Sequence, residues 1–79
     1  MITKQQLLGC LKGAGIELTL EDGEDININD LLEDSIQFIS TLVEIENYFG
    51  IEVDDKFLEE DIFSSFNYVL RIINEIKGN

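Results

Sequence analysis

The chain has 79 residues, 44% of them hydrophobic, which suits one small core and is too apolar for a disordered acidic tail. Seventeen acids against five bases leave a net charge of −12, a surface that repels phosphate backbones and argues against nucleic-acid binding. No apolar run approaches the ~20 residues of a membrane span, and MITKQQLLGC lacks the ordered regions of a signal peptide, so a single cytoplasmic domain over 1–79 is expected.

Residues 3–14, TKQQLLGCLKGA, read as a first helix. Thr3 and Gln6 have capping-box spacing, and Leu7, Leu8, Leu11 and Ala14 follow the helical period. Gly9 and Gly13 weaken it by up to about 1 kcal/mol each, and Gly13 with Gly15 supplies a stop. The single Cys10 has no internal disulfide partner and reads as a small apolar residue packed in this helix.

A connection follows over 15–34. Ile16, Leu18 and Leu20 alternate, as do Ile26 and Ile28, around an acidic turn at Gly23. Two readings stay open: a small hairpin, or an ordered loop whose apolar residues plug the core.

The next helix covers 35–49. Ile39, Leu42, Ile45 and Phe49 form its expected core stripe, with Ile36 extending it by a turn and Glu46 facing outward. Gly50 ends it. A short helix is expected over 56–61, capped by Asp54 or Asp55, with Phe57 and Leu58 inward. The last helix spans 65–76, capped by Ser64 or Ser65. Its apolar face is Phe66, Val69, Leu70, Ile73 and Ile76. The expected fold is all-α: a small four-helix bundle of three long helices and one short, with a long loop between the first two.

The chemistry is sparse. Without histidine, Ser-His catalysis and Cys/His zinc sites are excluded. Asp25, Asn27 and Asn29 have the opening spacing of an EF-hand loop. The sixth position is Asp30 instead of glycine, and the twelfth is Ile36 instead of glutamate. There is no P-loop and no GxGxxG. Charge does point somewhere. Ten acids against Lys56 alone lie between Glu33 and Asp61, which favours encounter with proteins carrying basic patches, besides aiding solubility.

Ser35 is the residue of interest. A serine following an aspartate at a helix start is ordinarily a cap or first-turn residue, worth ~1 kcal/mol. The same place offers free N–H groups and the positive end of the helix dipole, which suit a phosphate ester on the hydroxyl. Nothing nearby activates that hydroxyl, so attachment would need another protein as catalyst.

The stretch Asp30–Phe49, DLLEDSIQFISTLVEIENYF, resembles the core of the acyl carrier protein family, which shows D-L-G-x-D-S-L before an apolar pattern ending in acids and Phe. Asp30, Leu31, Asp34, Ser35, Ile36, Ile39, Leu42, Ile45, Glu46 and Phe49 fill matching places. GIEVDD resembles the family's turn before its third helix, and IFSSFNYVLRII its last helix. The match covers roughly 30–76; residues 1–14 fit by type only.

The resemblance implies a carrier and no enzyme. A magnesium-dependent phosphopantetheinyl transferase would move 4'-phosphopantetheine from coenzyme A onto Ser35, with Asp34 supporting the modification. The arm's thiol would hold an acyl or aminoacyl group as a thioester. The second helix would be the recognition helix, with Ile36, Phe38, Val43, Glu44 and Glu46 toward partner enzymes, and the chain would act as a monomer without a bound metal. Departures are specific. Leu32 replaces the family's glycine, Gln37 and Ser40 stand where fatty-acid carriers have acids, and Val53 replaces a proline. Phe38 and Tyr48 bring aromatics to what reads as the solvent side. This favours a specialised pathway over the housekeeping fatty-acid carrier. A helical interaction module whose serine is only a cap is the reading from another class.

Overall fold

The computed structural model describes residues 1–59 and 61–78, the side chains of Leu58 and Glu59 excepted. Among these the chain is helical: α1 (Lys4–Gly13), α2 (Ser35–Phe49), α3 (Asp55–Glu59) and α4 (Phe66–Lys77), with 3-10 turns at Ile28–Leu31 and Ile62–Ser64.

Each boundary has a local cause. At α1 the Thr3 hydroxyl accepts the Gln6 N–H at 3.2 Å, while the Gln6 carbonyl oxygen accepts the Thr3 N–H at 2.7 Å, the expected capping box. Gly50 closes α2 in the left-handed region, φ 65°, where a side chain would be strained. Asp54 Oδ1 accepts the Lys56 N–H at 3.0 Å at the start of α3. Ser65, not Ser64, caps α4 by accepting the Tyr68 N–H at 3.1 Å. The expected short helix reached 61; Glu60 and the Leu58 side chain lie outside the described residues.

One core cluster unites the elements. Leu7, Cys10 and Leu11 come from α1, Leu42, Ile45 and Phe49 from α2, and Phe66, Val69, Ile72 and Ile73 from α4; Ile16, Ile28, Val53, Ile62 and Phe63 join them from between the helices. Leu8 is only half-buried. Ile72, which the periodic reading omitted, is fully inside.

The stripe expected on α2 is corrected. Ile36 is 75% exposed and Ile39 56% exposed, while Leu42, Ile45 and Phe49 are buried. The cause is arithmetic. At about 100° per residue, each step of three falls about 60° short of a full turn, so the series 45, 42, 39, 36 walks off the core face. The true inward stripe is Phe38, Thr41, Leu42, Ile45 and Phe49. Thr41 is fully buried, and its hydroxyl donates to the Gln37 carbonyl at 2.7 Å, which satisfies it.

Residues 16–27 contain no strand, so the hairpin reading falls and the plugging reading holds: Ile16 and Ile28 are buried, and Leu18, Leu20 and Ile26 half-buried. The connection between α1 and α2 is tied down in three places. Lys4 Nζ donates to the Glu21 carbonyl at 2.8 Å. Asp25 and Ile26 grip the start of α4: Asp25 Oδ1 accepts the Asn67 N–H at 3.0 Å, its other oxygen accepts the Ser65 hydroxyl, and the Ile26 carbonyl accepts the Phe66 N–H at 2.9 Å. Asn29 Nδ2 donates to Asp61 Oδ1 at 2.6 Å. The ends of the fold are joined by Asn74, whose Oδ1 accepts the Ile2 N–H at 2.7 Å and whose Nδ2 donates to the Ile2 carbonyl at 3.1 Å.

Helix α1 contacts α2, and its two glycines lie near side chains of that helix, Gly9 near Tyr48 and Gly13 near Glu44. A Cβ on Gly9 would lie 3.5 Å from the Tyr48 hydroxyl, an ordinary contact. Gly9 is exposed and mid-helix, so Gly9→Ala is expected to raise stability by about 0.5–1 kcal/mol through helix propensity. Urea denaturation reads this as a higher midpoint at unchanged slope.

Candidate functional site

The start of α2 is built by the residues ahead of it. Asp34 has extended backbone, φ −160°, and its Oδ1 accepts the Gln37 N–H at 2.8 Å; it is the N-cap. Gln37 answers with its side-chain Oε1, which accepts the Glu33 N–H at 2.6 Å. This is a capping box shifted by one residue, a structural role for Gln37.

Ser35 is therefore not the cap. It is the first helical residue, it is exposed, and its hydroxyl makes no hydrogen bond among the described residues. The capping role that competes with any chemistry at Ser35 is already filled by Asp34. The unpaired N–H groups and positive dipole end of the first turn lie beside the hydroxyl.

The other expected site residues divide. Ile36 and Val43 are exposed, Val43 at 45%, and Ile39 lies on the same face, one turn on from Ile36. Phe38 is corrected: it turns inward, half-buried, with its ring edge-on to Phe63 at 5.0 Å between centroids. Glu46 is corrected too. It is half-buried, and its Oε2 accepts the Val53 N–H at 2.9 Å, tying α2 to the turn after it. Glu44 is half-buried against Gly13 at the α1 crossing. Tyr48 stays 52% exposed, its ring edge-on to Phe49.

Consequently all seven exposed residues of α2 are uncharged: Ser35, Ile36, Ile39, Ser40, Val43, Asn47 and Tyr48. In a chain of net charge −12 this face stands apart, and Ile36, Ile39 and Val43 make its apolar row. Sequence reasoning missed Ile39 as a surface residue. Placing Phe38 on the inward stripe would have found it.

Cys10 offers no nucleophile. Burial first, and the Glu44 carboxylate second, push its thiol up to about 11, so it stays protonated at neutral pH. Among the described residues, no group of three or more acids or cysteines is placed to hold a metal ion, and no helix is long and apolar enough to cross a membrane. Comparison with models of known protein families, with curated proteins and with solved structures finds no match.

Proposed function

We propose that this chain is a discrete acyl or aminoacyl carrier protein of a specialised pathway, carrying 4'-phosphopantetheine on Ser35. The observation that carries the reading is the exposed Ser35 hydroxyl at the first position of α2, left unused because Asp34 is the cap. The site suits the group: a phosphate ester there would meet a helix N-terminus, and the hydroxyl is reachable by a transferase. When bound, the group supplies a thiol that holds cargo as a thioester. The chain's own residues hold and present. Asp34 and Gln37 fix the first turn, and the Ile36–Ile39–Val43 row gives partner enzymes an apolar contact.

The arrangement of three longer helices, a short α3 and a tied-down connection before α2 fits a carrier bundle. The uncharged α2 face supports partners other than those of fatty-acid synthesis, for which the family's acidic helix is suited. A pure interaction module is the second reading, because the same apolar row would serve it.

Intact mass separates the two. Incubated with coenzyme A, magnesium and a broad-specificity transferase, the chain is expected to gain one phosphopantetheine and Ser35→Ala none. No gain with several transferases, or a gain that survives Ser35→Ala, overturns the carrier reading.

A further inference from the structure

An open groove lies between the outer face of α1 and the segment that follows it. Leu8, Gly9 and Lys12 line one wall, and Glu17, Leu18 and Thr19 the other. The second wall is strand-like without being paired. From Ile16 to Leu20 residues alternate inward and outward: Ile16 is buried, Leu18 and Leu20 half-buried, Glu17 and Thr19 exposed. Among the described residues, no backbone N–H or C=O of residues 17–20 makes a hydrogen bond. Yet the segment is held. Its inward side chains pack on the core. At one end the Ile16 N–H donates to the Leu11 carbonyl at 2.9 Å. At the other, the Glu21 N–H donates to Glu24 Oε1 at 2.6 Å and the Glu21 carbonyl accepts Lys4 Nζ.

A segment anchored at both ends, alternating in burial like a strand and with open hydrogen-bonding groups beside a partly apolar groove, is a template for an added strand. We infer that residues 17–20 pair with an extended, basic segment of a protein partner. Its backbone would complete the unpaired edge, and apolar side chains on one of its faces would rest on Leu8 and Leu18.

Charge selects the occupant. Glu17, Glu21, Asp22 and Glu24 are all exposed along and just beyond this edge, and they outnumber the two bases nearby, Lys12 on the facing wall and Lys4 on the Glu21 carbonyl. A second copy pairing here would set these acids against their equivalents, on top of −12 on each chain. A lysine- or arginine-bearing strand turns the same charges into attraction. The inference is independent of any modification of Ser35.

The test uses the isotope-labelled chain and a capped six-residue peptide alternating lysine and valine, titrated to about 1 mM because a short strand pair is marginal in water. Saturable amide shifts are expected over residues 8–12 and 17–20, with hydrogen exchange slowed roughly ten-fold at alternate amides of 17–20, those on the paired edge. The same peptide N-methylated at every residue keeps its charge and loses its donors, and is expected to bind at least ten-fold more weakly. Glu17→Lys should weaken the unmethylated peptide several-fold while leaving the circular dichroism spectrum unchanged. Equal binding of the methylated peptide would reduce the interaction to charge alone and overturn the inference. So would shifts centred elsewhere, or exchange in 17–20 left unprotected at the highest peptide concentration.

Discussion

Phe63→Ala is expected to cost about 3–5 kcal/mol, the range for emptying a buried phenylalanine site. Phe63 is fully buried in the 3-10 turn before α4, and its ring meets Phe38 edge-on. A domain of this size holds little in reserve, about 5–15 kcal/mol in all, so the variant should be largely unfolded well below the wild-type melting temperature. Phe38→Ala provides the graded comparison. Half-buried on the same pair, it should cost about 2 kcal/mol, less than Phe63 and well above the ±0.5 kcal/mol of ordinary surface changes. Urea denaturation of the two variants checks both. A Phe38→Ala midpoint equal to wild type would mean that the ring contributes no packing and return the residue to the surface.

Asp25→Ala is the second large effect expected, about 2 kcal/mol, because one carboxylate serves both the Ser65 hydroxyl and the Asn67 N–H at the start of α4. Its signature is pH dependence. Burial pushes the Asp25 carboxyl up, but the hydrogen bonds from the Ser65 hydroxyl and from the Asn67, Ile26 and Phe66 N–H groups outweigh it and hold its pKa below the ordinary aspartate value. A carboxyl with a depressed pKa in the folded state stabilises above its unfolded pKa, and that stabilisation is lost as pH falls through the folded value. The stability gap between wild type and Asp25→Asn should therefore be constant above about pH 5 and close below about pH 4. Cys10 gives the opposite limb. With its pKa raised from 9.0 to about 11, its stabilisation is complete below pH 9.0 and disappears as pH rises to about 11. Cys10→Ala should flatten that limb relative to wild type. Thermal melts across pH 2–11 read both limbs, and an Asp25→Asn gap that persists undiminished to pH 2 would contradict the account of the clasp.

Much of this fold is written in local signals. Thr3 with Gln6, the Gly50 stop and Ser65 before Phe66 each act within four residues, so helix ends can be read from the chain alone. What a helix faces is harder. Steps of three between Ile36, Ile39, Leu42 and Ile45 resemble a stripe on paper but spiral around the cylinder, and only the burial of Phe38 and Thr41 fixes its true angle. The tertiary clasps were not legible at all. Asp25 enters the sequence reading only through its spacing to Asn27 and Asn29, and nothing in the sequence marks Asn74. Their partners lie 40 and 72 positions away, and no local pattern encodes such distances. At the candidate site, the Asp34–Ser35 pair was visible in the sequence. That Asp34 and not Ser35 does the capping, and that every exposed residue of α2 is neutral, emerged only from the three-dimensional arrangement.

The Asn74–Ile2 pairing makes the folded chain nearly a closed ring, with 72 positions between its two ends and one amide as the clasp. Closing so large a ring is entropically costly, so it is the contact least suited to form early in folding. Contacts made after the folding barrier act on the rate of opening and hardly on the rate of closing. The clasp thus works as a latch: it bears on how long the bundle stays shut more than on how fast it assembles.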